Sequence, residues 1–198
     1  FKTVLGFATL LAEDGRAMHK SWGNSIEFNT GADKMGVDVM RWMFAKQDPA
    51  ANMLFGYKLA EETRRRFYLI LWNSYKFFTD YANTAGWDCK EMPEDVREKF
   101  TVLDRWVLAR LTEVVLKVNE SLDNFDSAAA SMAIEEFIVT DLSTWYIRRC
   151  RDRVGAGAEK EDEKVFLSVM YGVLVTLTKI MAPITPFITE LMYQNLDR

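Results

Sequence analysis

The sequence has little cysteine, no surplus of positive charge and no long apolar run. Its two cysteines, Cys89 and Cys150, stand far apart and match no metal-ligand spacing. Two reduced thiols of a cytosolic protein are therefore expected, rather than a disulfide framework or a zinc site. Lys and Arg number 25 against 29 Asp and Glu, a formal net charge of −4. That balance excludes a global electrostatic attraction to nucleic acid, so any RNA contact has to come from a local basic patch. No apolar run reaches the roughly 18–20 residues of a membrane span, and no signal-peptide pattern is visible. Internal repeats and low-complexity tracts are lacking as well. The chain opens on Phe1 with residues that read as the middle of a domain, so an excised piece of a longer protein is expected.

What the sequence does have is apolar and aromatic surface. Hydrophobic residues make up 49% of it, with 13 Phe, 7 Tyr and 6 Trp, enough for a substantial core. The length accommodates one large domain, or one domain with the end of another. Residues 1–11 are apolar and β-compatible (Thr3, Val4, Leu5, Phe7, Thr9, Leu10, Leu11) and predict a strand leading into a turn at Gly15. Helical spacing dominates from about residue 35. Residues 37–44 predict a short helix, ended by Asp48 and Pro49. Phe67, Ile70, Leu71, Ser74, Phe77, Phe78 and Tyr81 recur at three- and four-residue steps, which predicts one long amphipathic helix over 58–81, stopped near Gly86.

Thr101 and Asp104 read as a capping box, opening a helix with the apolar series Leu103, Val107, Leu111, Val115, Val118 and Leu122. Asp126 can cap a third helix that carries Ala130, Ile134, Phe137, Ile138 and Trp145 on one side. Gly155 and Gly157, with the charged run 159–164, predict a hinge or exposed loop. A fourth helix is expected over 165–181, ended by Pro183. Thr185 then Pro186 reads as an N-cap and first helical residue of a short last helix reaching Leu196. Four long helices with short connections predict an all-α helical bundle.

Two clusters carry chemistry. Gly15 and Gly23 bracket a polar loop and let its backbone approach a ligand closely. Lys20 in that loop is a mobile point charge beside the Ser21 hydroxyl, a pairing suited to a polyphosphate. The second cluster is Arg148, Arg149, Arg151 and Arg153 around a single acid, Asp152. Arg148 and Arg151 are three apart, and Arg149 and Arg153 four apart, so each pair stacks on a helical surface row. Trp145 and Tyr146 lie one turn upstream and offer a stacking surface; cations beside aromatics suit an RNA backbone with splayed bases. A structural reading competes with this one. Arginines at a helix C-terminus complement its macrodipole, and Trp145 sits on the apolar stripe, which would make it a core residue.

The loop Asp14-Gly15-Arg16-Ala17-Met18-His19-Lys20-Ser21-Trp22-Gly23-Asn24 resembles the signature loop of class I aminoacyl-tRNA synthetases, usually D-G-x-K-M-S-K-S-x-G-N. Met18, Lys20, Ser21, Gly23 and Asn24 match it, while Ala17 and His19 stand where the pattern has its first lysine and first serine. Gly36-Val37-Asp38-Val39-Met40-Arg41 resembles the G-A-D-A-L-R segment that follows that loop. Leu71-Trp72-Asn73-Ser74-Tyr75-Lys76-Phe77-Phe78 is similar to the L-W-N-x-Y-x-F-F helix of isoleucyl-tRNA synthetases. Leu103-Asp104-Arg105-Trp106 resembles the L-D-R-W that opens their anticodon-binding domain. Asp141-Leu142-Ser143-Thr144-Trp145-Tyr146-Ile147-Arg148-Arg149 resembles their D-L-S-N-W-Y-x-R-R. Ala182-Pro183-Ile184-Thr185-Pro186-Phe187 resembles their A-P-x-T-P-F. The matches fall in the family's order and cover nearly the whole chain.

The resemblance implies that residues 1–56 end an α/β catalytic domain and that 57–198 form a helical anticodon-binding domain. It implies a parent isoleucine–tRNA ligase, which makes isoleucyl-adenylate from isoleucine and ATP with Mg2+ and passes isoleucine to its tRNA. Lys20 would then be catalytic, stabilising charge on the phosphates as pyrophosphate leaves. Met18, His19, Ser21, Gly23 and Asn24 would join it at ATP. Arg148, Arg149, Arg151, Arg153, Trp145, Tyr146, Arg64 and Arg65 would meet the tRNA, although Arg64, Arg65 and Arg66 read equally as a solvated helix face. The implied protein is a cytoplasmic monomer with no membrane association and no metal site in these residues. Nothing here resembles the family's H-I-G-H motif, amino-acid pocket or editing domain, so the isolated chain is expected to be inactive and to hold no cofactor stably. Valyl- and leucyl-tRNA synthetases share the loop and the bundle and stay open as the parent. A helical interaction module with solvated basic faces and no RNA role stays open as well.

Overall fold

Apolar residues at helical spacing dictate most of what forms. In the computed structural model, which describes residues 2–4, 6–89 and 95–197, two short strands and eight α-helices follow one another. They are β1 (Leu10–Ala12), α1 (Phe28–Met35), α2 (Val37–Lys46), β2 (Met53–Phe55), α3 (Tyr57–Thr63), α4 (Leu69–Ala85), α5 (Val102–Asp123), α6 (Ser127–Glu136), α7 (Lys160–Met181) and α8 (Pro186–Leu196). Two stretches of π winding join this series: Arg64–Tyr68 carries α3 into α4, and Phe137–Ile147 extends α6. The architecture is the expected helical bundle preceded by a small α/β piece.

The strand expected over the first eleven residues is shorter than its apolar run. Phe1 and Leu5 lie outside the described residues, and among the others only Leu10 and Leu11 belong to β1. β1 pairs in parallel with β2, from Leu10 opposite Met53 to Ala12 opposite Phe55. The partner strand sets this length, because β2 is confined between the Asp48–Ala51 turn and Gly56.

Side-chain caps fix most helix starts. Thr101 Oγ1 accepts from the Asp104 N–H at 3.2 Å while Asp104 Oδ2 accepts from the Thr101 N–H at 2.8 Å, the capping box predicted for α5. Asp126 Oδ1 accepts from the Ala129 N–H at the start of α6. Gly86, at φ 64°, ends α4 in the left-handed region that glycine tolerates. The charged run 159–164 is not an exposed loop. The Glu159 carboxylate accepts from the Glu161 and Asp162 N–H groups, and Glu161, Asp162 and Glu163 fill the first turn of α7. Acids there complement the macrodipole, so α7 begins at Lys160 instead of Val165.

By length and composition α7 could cross a membrane, although Ser168, Gly172, Thr176 and Thr178 interrupt its apolar residues. In the fold it is the central helix, packed on α4, α5 and α8. Phe166, Leu167, Met170, Val173 and Leu174 are all fully buried. At roughly 1.5–3 kcal/mol for each large apolar side chain taken from water, this helix contributes much of the hydrophobic stabilisation.

The core runs without a break from Met35 to Leu196. Trp42 of α2 stacks on Phe67 with centroids 4.1 Å apart, and its indole N–H donates to Glu135 of α6 at 3.1 Å. Arg41 donates to the carbonyls of Ile184 (2.6 Å) and Pro183 (3.0 Å), beyond the end of α7. Thr185 supplies no side-chain cap to α8. Asp38 does so from α2, its Oδ2 accepting from the Ile188 N–H at 2.6 Å.

Candidate functional site

Residues 13–24 form an exposed loop anchored at both ends. At its base the Glu13 carboxylate accepts from the Leu59 N–H (2.9 Å) in the first turn of α3. A Cβ on Gly56 would sit 2.2 Å from Glu13 Cγ, so glycine there is what lets this side chain reach the helix end. At the far end Asn24 closes the loop, its Oδ1 accepting from the His19 N–H and its Nδ2 donating to the Ala17 carbonyl, both at 2.9 Å. Gly23, at φ 70°, turns its N–H back to the Lys20 carbonyl and completes a 3-10 turn over Lys20–Trp22. His19 packs edgewise on Trp22, ring centroids 4.2 Å apart.

Met18 is partly buried against the core and serves as the loop's apolar anchor. Lys20 and Ser21 are exposed, and among the described residues neither side chain forms a hydrogen bond or a close ion pair, although the Lys20 charge helps hold the nearby Glu27 carboxyl below its usual range. The arrangement therefore presents one ammonium and one hydroxyl to solvent on a braced backbone. This is a donor pair that a polyphosphate can use.

The basic cluster sits where the second π stretch ends. Ile134, Ile138, Leu142, Tyr146 and Cys150 are all buried at a strict spacing of four. A helix of 3.6 residues per turn would drift off the core over such a series, whereas π winding takes more residues per turn and keeps it facing inward. The bond from Thr144 Oγ1 to the Val139 carbonyl, five residues back, follows the same winding. The consequence reverses an expectation. Trp145 is not a core residue but is 45% exposed, with the Arg149 guanidinium stacked on its ring at 4.4 Å. Tyr146 is fully buried, so its expected place on an RNA-facing surface does not hold.

Arg153 moves inward as well. Its Nη1 donates to Asp104 Oδ1 at 2.7 Å, its Nη2 reaches Asp162 Oδ1 at 2.7 Å, and its side chain keeps 13% exposure. The Tyr146 hydroxyl donates to the same Asp104 Oδ1 at 2.5 Å. The helix ends at Arg149 and the chain tightens into a 3-10 turn, Arg151–Arg153, so the stacked rows expected for the four arginines are not formed. Burial pushes the Asp104 carboxyl up, but bonds from Arg153, Tyr146 and the Thr101 N–H outweigh it and hold the group below the usual carboxylate range. Burial also drives the Tyr146 hydroxyl well above its ordinary range, and the adjacent Asp104 charge adds to this.

Arg148, Arg149 and Arg151 remain exposed, and among the described residues none forms an ion pair. Arg64 differs from them. It donates to the carbonyls of Lys34 and Met35 and pairs with Glu61, so its guanidinium ends α1 rather than standing free. Arg65 is exposed, 4.0 Å from Glu61. Facing the arginine cluster across a groove, α4 presents Asn73, which sequence reasoning places in a motif without giving it a role. The signal for it is its polarity, on a helix otherwise read for its apolar face.

Residues 104–198 match the family model described as the anticodon-binding domain of tRNA ligase. The whole chain is 37% identical to an isoleucine–tRNA ligase of Thermus thermophilus, of which it covers 19%. Another from Dehalococcoides mccartyi is 40% identical over 99% of the chain, and one from Thermobifida fusca 38% over 100%, each covered to 19% of its length. The chain thus spans about a fifth of the curated relatives it matches. Its fold is similar to LeuRS of Agrobacterium radiobacter K84, solved as a ternary complex with tRNA and LeuAMS. The TM-score is 0.66 at 16% identity, over 97% of this chain and 22% of that one. Residues 104–198 thus match the anticodon-binding domain of tRNA ligase, and the chain is similar from end to end to a segment of isoleucine–tRNA ligases.

Proposed function

We propose that these residues serve an isoleucine–tRNA ligase of the cytoplasm in two capacities. Residues 57–198 bind the anticodon arm of isoleucine tRNA, and residues 1–56 end the catalytic domain and bring Lys20 to ATP. The observation that carries the first role is the exposed group Arg148, Arg149, Arg151 and Trp145, three arginines without an ion-pair partner among the described residues of a chain with net charge −4. Unpaired guanidinium groups neutralise phosphates, and an exposed indole stacks with unpaired bases. Arg153 and Tyr146 position that group from within and do not touch RNA. Arg65 extends the basic surface toward the tRNA stem.

For the second role the braced loop matters. As isoleucyl-adenylate forms and pyrophosphate leaves, charge builds on the phosphates, and an ammonium held near them stabilises the transition state more than the ground state. Ser21 adds a hydrogen bond, while Gly23, His19 and Asn24 keep the loop in shape. Mg2+ would accompany ATP, screening its phosphates. The complete enzyme, acting as a monomer, would supply the remaining parts of the adenylation site.

Binding of isoleucine tRNA and an anticodon-swapped variant across a salt series tests the first role. Tighter binding to the native anticodon is expected. Arg148→Ala with Arg149→Ala should weaken it and lower the salt slope by about one for each phosphate no longer neutralised. Binding indifferent to anticodon and to both arginines would sink this reading and leave a helical interaction module. Charging of isoleucine, valine and leucine tRNAs by the complete enzyme separates the three possible parents; similarity of 37–40% to isoleucine–tRNA ligases favours the first.

A further inference from the structure

The segment that carries the Lys20 loop, residues 13–27, has little positive charge to offer a ligand. Glu13, Asp14 and Glu27 oppose Arg16 and Lys20 there. Arg16 is engaged locally, its Nε and Nη2 reaching Asp14 Oδ2 at 2.7 and 2.6 Å. The Lys20 charge acts in part on Glu27, whose carboxylate also accepts from the Asn29 and Thr30 N–H groups at the start of α1. A polyphosphate at this loop therefore meets one cation already offset in part by a carboxylate, a weak field for a ligand of several negative charges.

His19 is the one histidine of the sequence, and it adjoins that cation. Asn24 Oδ1 fixes its backbone by accepting from its N–H at 2.9 Å. Trp22 holds its ring edgewise, centroids 4.2 Å apart, beside the 3-10 turn that carries Lys20 and Ser21. The imidazole does not cap that turn; it is exposed and, among the described residues, forms no hydrogen bond or close ion pair. Backbone and ring are held while the ring nitrogens stay available to a ligand. On taking a proton an imidazole gains a unit charge and a second N–H donor, and it is the side chain that does so between about pH 5 and 8. Of the charged groups that flank it, Lys20 and Arg16 oppose this proton and Asp14 and Glu27 favour it; bound phosphates add to the favourable side. Ala17, tied to the same Asn24 through its carbonyl, brings no charge that could serve instead.

We propose that His19 is a second, proton-dependent cation of this loop: its imidazolium joins Lys20 on the phosphates of ATP, so the loop's hold on ATP weakens as the pH rises. The proposal rests on the reading of the Lys20 loop given above and adds a regulation to it. Where the free imidazole is neutral, binding of the nucleotide takes up a proton.

The test follows ATP–pyrophosphate exchange by the complete enzyme from pH 6 to pH 9, reading KM for ATP in wild type, His19→Gln and His19→Lys. Ionisation of ATP itself is common to the three proteins and cancels when they are compared at each pH. Relative to His19→Lys, which stays charged throughout, the wild-type KM should rise about three- to tenfold across that range, the scale of one charge-assisted contact at an exposed site. His19→Gln, neutral throughout, should show the weaker binding at every pH. Residue 19 is exposed, so all three should melt at the same temperature, which separates binding from folding. A wild-type pH profile retained in His19→Gln would assign the titration to another group and overturn the proposal. So would a His19→Lys enzyme that binds ATP no better than His19→Gln at pH 9. Lys20→Ala is measured alongside. If it slows exchange while both His19 variants follow wild type, this proposal alone fails; if it too matches wild type, the reading of the loop fails with it.

Discussion

Arg153 grips Asp104 with two parallel bonds, Nη1 to Oδ1 at 2.7 Å and Nη2 to Oδ2 at 3.1 Å, while its Nε holds Asp162 at 2.9 Å. The guanidinium thereby ties the start of α5, the turn after the second π stretch and the start of α7 into one joint. Asp104 is wholly buried, so removing Arg153 leaves its charge inside the protein with only the neutral donors Tyr146 and Thr101. Arg153→Met is expected to cost about 3–5 kcal/mol, read as a lower midpoint in urea unfolding. Arg148→Ala, a few residues away and exposed, should stay within about 0.5 kcal/mol.

Acid should reveal two carboxylates of opposite sign. Asp104 is held below the usual carboxylate range in the fold, so its contribution is complete above the unfolded value, about 3.9. That contribution is lost as the pH falls from there through the lower folded value. Asp38 behaves the other way. Burial raises it, against the Ile188 and Phe187 N–H groups and Arg41, so the folded state holds its proton longer. Its contribution is present below the unfolded value and is lost as pH rises through the folded one. In melting curves from pH 2 to 7, Asp104→Asn should flatten the acid loss. Asp38→Asn should remove a decline above about pH 4. An unchanged profile in either variant would refute its assignment.

Neighbouring aromatics should separate cleanly by assay. Trp145→Ala should leave stability nearly unchanged and weaken tRNA binding by about 1–3 kcal/mol, the usual worth of a base stacked on an aromatic ring. Tyr146→Phe should do the reverse. It removes a donor from Asp104 and should cost about 1–3 kcal/mol of stability. Calorimetry and tRNA titration on both variants check the split.

Gly56→Ala puts a Cβ where Glu13 lies and should drive that carboxylate off the first turn of α3. Loss of such a cap costs about 0.5–2 kcal/mol. Faster hydrogen exchange at the Leu59 amide is the specific sign, and an unchanged rate would mean that Glu13 keeps its place.

Lys20→Ala in the complete enzyme should slow ATP–pyrophosphate exchange by about a hundred- to a thousandfold, the scale of losing one charge-stabilising donor. The melting temperature and tRNA affinity should hardly move, since Lys20 is exposed and forms no hydrogen bond or close ion pair among the described residues. A small change in exchange would place the catalytic charge elsewhere.

Local signals are legible in the sequence wherever the physics is local. The Thr101–Asp104 box, the Asp126 cap and the stop at Gly86 all follow from neighbouring residues. The start of α7 is harder to see, because a charged run resembles a loop until its acids are recognised as a helix N-terminus. Trp145 and Tyr146 exchange places because a fixed period of 3.6 does not hold through a stretch wound more loosely. The four-residue spacing of Ile134, Ile138, Leu142, Tyr146 and Cys150 is visible in the sequence, and only the period applied to it is wrong. Arg153 cannot be separated from Arg148, Arg149 and Arg151 by sequence, since its partners lie on α5 and α7. The Arg148, Arg149 and Arg151 side chains do reach solvent as the cluster suggests.

The Asp38–Ile188 and Arg41–Ile184 bonds join residues 150 and 143 positions apart. Closing so long a loop carries an entropy cost that is repaid late, when the intervening helices have already drawn its ends together. During synthesis α2 waits, with its acid and its arginine unmatched, until the segment from Pro183 to α8 emerges. Helix α8 therefore docks onto α2 only after the helices between them have folded.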